Sequence, residues 1–144
     1  MITLDASVLI AWSDTGDASH QRAVDLIDEH EWDEFATNAV ALSELLVRPH
    51  RRGRTEGVTA LLAALGVRVL PITSDDAAGV AALRAELGLR APDATVLHTA
   101  VSSADALATF DKRLASAAKR LDVTVITDAP EESPDWSPPW CSAE

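Results

Sequence analysis

One cysteine, Cys141, in 144 residues leaves no disulfide framework and no cysteine-based zinc site. A lone thiol fits a reducing compartment, and the expected location is cytoplasmic. Long apolar runs are missing as well: the longest, Val58 to Val67, is about half of the roughly 20 residues that span a bilayer. Asp5 breaks the N-terminus where a secretory signal would need its apolar stretch, so neither membrane nor export is expected. The six glycines form no phosphate-cradling loop, and no G-x-S-x-G elbow is present. The four histidines lack the close pairing of helical zinc sites, and His98, on an otherwise apolar segment, reads as a core-edge residue. Basic residues are few: 12 Lys+Arg against 23 Asp+Glu give a net charge of −11, a field that repels nucleic acid.

What is present suits a compact single domain. Hydrophobic residues make up 47% and charged residues 24%, with a mean hydropathy of +0.05, which excludes a disordered chain. The charge is uneven. Residues 1–34 hold nine acids and one base, residues 122–144 six acids and no base, and residues 35–121 eleven bases and eight acids. The basic excess peaks at Arg48, Arg51, Arg52 and Arg54 around His50. Two readings stand for that bunch, a solvated turn between helices and a patch that contacts phosphates.

Short apolar runs recur at Ile2 to Leu4, Val67 to Ile72, Ala106 to Phe110 and Val123 to Thr127, with a weaker fifth at Phe35 to Thr37. Helical periods lie between them, as in Val58, Leu61, Leu62 and Leu65. Strands that are apolar throughout, alternating with helices, predict an α/β domain. Its parallel sheet has four or five strands with helices on both faces, because each return crossover must be helical. Four of the seven prolines follow residue 129, so residues 1–128 are expected to form the domain. Residues 129–144 are expected to form a Pro/Trp-rich tail, whose Trp136 and Trp140 could dock it onto the domain's own surface or onto a partner.

In open parallel sheets ligands bind beyond the carboxyl ends of the strands, so acids placed there are the first candidates. Asp5 closes the first run in MITLDASVLI, Asp111 follows ALATF, and Asp93 opens a helix in APDATVLHTAV. Each also has the place of a helix cap or a first-turn acid. Glu44 shares the helix of AVALSELLV with a largely apolar set of neighbours.

The order of strand-end Asp, helical Glu, helix-start Asp and strand-end Asp, with these flanks, resembles the PIN-domain family. It is most similar to the small VapC-type toxins of prokaryotic toxin–antitoxin pairs. The matching pieces are ITLDASVLIAW, SELL after TNAVA, APDATVLHTAV, and ATFD followed by KRL, in register over about residues 1–128. The resemblance implies a PIN-like fold and a metal-dependent endoribonuclease whose acidic quartet is Asp5, Glu44, Asp93 and Asp111. Mg²⁺ or Mn²⁺ would be held by Asp5, Asp93 and Asp111, with Glu44 acting through water or orienting the attacking hydroxide. Thr109, two residues before Asp111, matches a position where the family often keeps a hydroxyl, and is grouped with the arginines as a candidate RNA contact. The resemblance also implies an RNA substrate, a VapB-type antitoxin that covers the acidic groove, and a homodimer through the helices of the first half. Three alternatives compete with it. A haloacid-dehalogenase-like phosphatase needs a second Asp where Ser7 stands, and a receiver domain needs an early acidic pair that is missing. A PIN-like module that only binds a partner would not need all four acids.

Overall fold

A computed structural model describes residues 1–127; the expected tail, with Trp136, Trp140 and Cys141, lies outside the described residues. Five strands, β1 (Ile2–Leu4), β2 (Phe35–Asn38), β3 (Arg68–Leu70), β4 (Ala106–Ala108) and β5 (Thr124–Ile126), form one sheet in the order β3-β2-β1-β4-β5. Every pairing is parallel: Ile2 lies beside Phe35 on one side and Ala106 on the other, Ala36 beside Arg68, and Leu107 beside Val125. Seven α-helices make the crossovers: α1 (Ala6–Ser13), α2 (His20–Glu29), α3 (Ala39–Arg51), α4 (Thr55–Leu65), α5 (Ala77–Leu87), α6 (Ala91–Ser103) and α7 (Lys112–Arg120). Among the described residues no helix is long and apolar enough to cross a membrane.

Alternation along the strands divides the core in two. Ile2, Leu4, Phe35, Ala106 and Ala108 pack with Val8, Leu9, Leu26, Leu45 and Leu62 from α1 to α4 on one face. Leu107, with Val96, Leu97 and Ala100 of α6 and Leu114 and Ala118 of α7, forms the core of the other. The expected α/β architecture is therefore present with five strands and helices on both faces. β1 matches its apolar run, while β3, β4 and β5 are shorter than theirs: β3 keeps three residues of Val67 to Ile72 and, as an edge strand, is largely exposed. The fifth run is the reverse, since β2 is buried along its whole length.

Two local features set the frame of the carboxyl edge. Strand order reverses between β1, which leads away to β2, and β4, which leads away to β5, so the edge opens there into the crevice that such sheets offer to ligands. Asn38, fully buried at the end of β2, accepts a hydrogen bond from Ala41 N at 2.8 Å and caps α3, while its Nδ2 donates to Thr99 Oγ1 of α6 at 3.1 Å. One side chain thus fixes the start of the helix that carries Glu44 against the helix that carries Asp93.

Candidate active site

Asp5 follows β1 directly and is only 7% exposed. It occupies the N-cap position of α1 without making a side-chain cap bond. Instead its Oδ2 accepts hydrogen bonds from Ser7 Oγ at 2.7 Å and from Thr109 Oγ1 at 2.9 Å. Each hydroxyl is held in turn by the loop after β4: Ser7 Oγ accepts from Phe110 N at 3.1 Å and Thr109 Oγ1 from Asp111 N at 3.0 Å. The two strand ends are thereby locked around one carboxylate oxygen. Burial pushes the Asp5 carboxyl above the usual range; the two hydroxyls pull it back without cancelling the effect, and the charge of Asp93 adds to the rise.

Asp93 sits in the first turn of α6, where Pro92 in that turn suits the helix start. Its Oδ2 accepts from Arg90 Nε at 3.2 Å. Glu44 lies on the exposed side of α3, yet its carboxyl is also raised, first by partial desolvation and then by the negative charges of Asp5 and Asp93, with Arg90 opposing. Arg90 itself is held firmly protonated by Asp93, with Asp111 and Glu44 contributing. Asp111 caps α7, its Oδ1 accepting from Arg113 N at 2.9 Å and Leu114 N at 3.1 Å. The acids therefore differ in what they do for the fold: Asp111 caps a helix, Asp5 does not, and Asp93 is paired to a guanidinium.

The basic bunch lies at the end of α3 and in the turn to α4, beside a cavity of about 360 Å³ that Glu44 also lines. Arg48 is committed to Asp14 at 2.9 Å, while Arg51, Arg52 and Arg54 are exposed at the rim. Thr109, grouped from sequence with the RNA contacts, is fully buried with its hydroxyl engaged by Asp5 and Asp111, so it positions a carboxylate and offers nothing to a ligand. His98 takes the core-edge place expected of it and bonds Asp76 Oδ1 at 3.0 Å.

A family model of the PIN domain matches residues 2–120. The chain belongs to the PIN domain family. No curated protein matches it in sequence. Among solved structures this PIN domain is similar to Mycobacterium tuberculosis VapC20, a sarcin-ricin loop cleaving toxin, with 20% identity over 81% of this chain and 95% of that one and a TM-score of 0.65. It is also similar to a toxin-antitoxin complex from Klebsiella pneumoniae (23% identity, 88% and 97% coverage, TM-score 0.67). FitAcB from Neisseria gonorrhoeae gives 24% identity, the same coverage and a TM-score of 0.67. At these identities the likeness is one of fold.

The family implies a divalent metal. Among the described residues no three His, Cys, Asp or Glu side chains converge as a ready cage for an ion. The donors nevertheless fit a hard, strongly hydrated cation: Mg²⁺ keeps several waters and takes one or two carboxylates, not an all-protein cage. Burial is the first cause of the raised Asp5 and Glu44 carboxyls; the smaller repulsion, from Asp93 on Asp5 and from Asp5 and Asp93 on Glu44, is the part such an ion relieves.

Three residues of the PIN domain's site carried little signal in the sequence. Ser7 is one turn residue among many, although an Asp-x-Ser at a strand end is what its bond to Asp5 requires. Asn38 precedes an apolar helical period and is readable as a cap, but its bond to Thr99 spans 61 positions. Arg90 is recognisable only once Asp93 is placed.

Proposed function

We propose that this PIN domain is a Mg²⁺- or Mn²⁺-dependent endoribonuclease and the toxin of a VapBC-type toxin–antitoxin pair. The observation that carries the reading is Asp5: a buried carboxylate at the sheet's switch point, fixed by Ser7 and Thr109 and coupled by charge to Asp93 and Glu44. Asp5, Asp93 and the Asp111 oxygen not used for capping are the residues that would hold the ion. When bound, a divalent ion lowers the pKa of its water and offsets charge on the phosphoryl oxygens.

The chain's own groups supply the rest. Ser7 and Thr109 keep the Asp5 carboxylate oriented. Glu44, close enough to Asp5 and Asp93 to feel their charge, would act through water or orient the attacking hydroxide. Arg51, Arg52 and Arg54, beside Glu44 on the same cavity, bind phosphates of the RNA strand. Because water and not the ribose 2′-hydroxyl attacks, products carry a 5′-phosphate and a 3′-hydroxyl.

The acidic cluster also suits a partner that inserts an arginine or lysine among the carboxylates, as an antitoxin would. The complexes among the structural neighbours support such a partner. A homodimer through the first-half helices would use what the core leaves outside, Val47 and Leu61, since Leu45 and Leu62 are buried within the protomer. The deciding experiment is cleavage of total RNA by the wild type and Asp5→Asn, with Mn²⁺ and with EDTA. Cutting that needs metal and Asp5 supports the reading; full activity in chelator, or cyclic 2′,3′-phosphate ends, overturns it.

A further inference from the structure

The cavity beside Glu44 differs in character from the carboxylate cluster it adjoins. It encloses about 360 Å³, near the lower end of the range for small-molecule sites and suited to a compound of single-nucleotide size. Its floor is apolar, built by Ile10 from α1, Leu45 from α3 and Val58 from α4. Its rim carries the exposed guanidinium groups of Arg51, Arg52 and Arg54, none of which has an ion-pair partner among the described residues. Of the two acids that line the cavity, Asp14 is already paired with Arg48 at 2.9 Å and bonded by Gly16 N at 3.0 Å, which leaves Glu44. In a chain of net charge −11, this is a place where positive groups outnumber free acids.

An apolar floor under a rim of free guanidiniums is complementary to a molecule with a flat, weakly polar body and an anionic end. Guanidinium forks bind phosphate oxygens in pairs, and aliphatic side chains accept the face of a nucleobase. A phosphate alone would use the rim and leave the floor wet. An extended acidic peptide would spread its charges along a groove and not concentrate one at the edge of a cavity of this size.

We infer that this cavity is a nucleotide subsite: it takes one base of the RNA against Ile10, Leu45 and Val58 and that nucleotide's phosphate against Arg51, Arg52 and Arg54. Because Glu44 belongs to both the cavity and the carboxylate cluster, the nucleotide held here is the one next to the cleaved bond, and the cavity's fit to its base sets sequence preference. The assignment to cleavage rests on the nuclease reading; the binding itself does not.

The test separates the two. The four nucleoside 5′-monophosphates, inorganic phosphate and a short Glu-rich peptide are titrated into the full chain in EDTA, where no cleavage takes place, and binding is followed by calorimetry. At least one nucleotide is expected to bind tenfold or more tightly than inorganic phosphate. Arg52→Ala and Arg54→Ala, both exposed and remote from the core, are expected to weaken it about tenfold each; Arg120→Ala, exposed at the far end of α7, is expected to leave it unchanged. In metal, the same two variants still cut RNA but with altered preference at the position next to the cut and a raised KM. Equal binding of phosphate and nucleotides, tighter binding of the peptide, or indifference to the arginine variants overturns the subsite. Nucleotide binding that passes these tests in a protein that cuts no RNA overturns the nuclease reading and leaves the subsite standing.

Discussion

Arg90 Nε donates to Asp93 Oδ2 at 3.2 Å, so a carboxylate proposed to hold metal already carries a cation supplied three residues earlier in the same chain. The guanidinium is mostly exposed while the carboxylate beneath it is not, which places Arg90 over the cluster and not within it. Any ion that engages Asp93 through Oδ2 must share or displace this bond.

Arg90→Gln should therefore tighten Mn²⁺ binding, by up to about fivefold, the factor an exposed ion pair can contribute. Water-proton relaxation during a Mn²⁺ titration measures it directly. Unchanged or weaker binding would mean that the guanidinium and the ion do not compete for Asp93.

Asn38 is the joint between α3 and α6. Asn38→Ala removes the α3 cap and one buried hydrogen bond together, and should cost about 1–3 kcal/mol in urea unfolding. Asn38→Ser restores the cap oxygen but cannot reach Thr99 as the amide does, so it should recover part of that loss. Metal binding should weaken in the Ala variant, because Glu44 and Asp93 lose their common anchor.

How far the sequence carried can be read from these residues. The buried strands announce themselves because a parallel sheet covered on both faces needs near-continuous apolar runs, and Ile2–Leu4 and Ala106–Ala108 meet that need. Phe35–Asn38 was faint because its burial is filled by Ala, Thr and Asn, whose polar atoms are satisfied by partners distant in sequence, such as Leu4 O for Thr37. The acids were legible as a set, but their division of labour was not. Asp5 and Asp111 both precede helices, and only the positions of Ser7 and Thr109 show that Asp5's side chain is drawn away from its helix while Asp111's is not. Thr109 likewise sits in the apolar run Ala106 to Phe110 with nothing to say what its hydroxyl meets until the fold places it beside Asp5.

The Asp76–His98 pair offers a test of acid stability away from the site. Backbone bonding from Thr73 and then the His98 contact hold the Asp76 carboxyl below its ordinary value. A depressed folded pKa stabilises the fold above the unfolded value, near 3.9, and that contribution is lost as pH falls through the folded value. Asp76→Asn should lower stability at neutral pH, flatten the acid limb of a stability-against-pH curve over that window, and converge on wild type below it. A superimposable acid limb would show that the pair contributes nothing on folding.

Gly79 faces the same histidine. A Cβ at this position would stand 2.5 Å from His98 Cε1, a separation side chains do not tolerate. Gly79→Ala must turn the ring away and break its bond to Asp76, so despite the better helix propensity of alanine it should destabilise by about 1–3 kcal/mol. In the Asp76→Asn background part of that cost should vanish, since the bond to be broken is already weakened. Additive losses would place the damage in packing alone.

Asp5→Asn distinguishes an ion site from a structural carboxylate. In the wild type without metal, the Asp5 carboxyl is raised by burial, so ionising it is less favourable in the folded chain than in the unfolded one. That sign means stability declines as pH climbs past the unfolded value, and the penalty is complete once pH passes the folded one. Asparagine removes the charge yet keeps an oxygen that accepts from Ser7 and Thr109 where Oδ2 now stands. In chelator the variant should melt as high as wild type or higher. Adding Mn²⁺ to a hundred times its Kd should stabilise the wild type by about 2.7 kcal/mol through linkage. That is a rise of roughly 5–10 °C for a domain of this size. The variant should show little of it, and no cleavage. Were Asp5 only a structural acceptor, the wild type would show no metal-induced rise and Asp5→Asn would still cut RNA; those two results together would remove Asp5 from the active site.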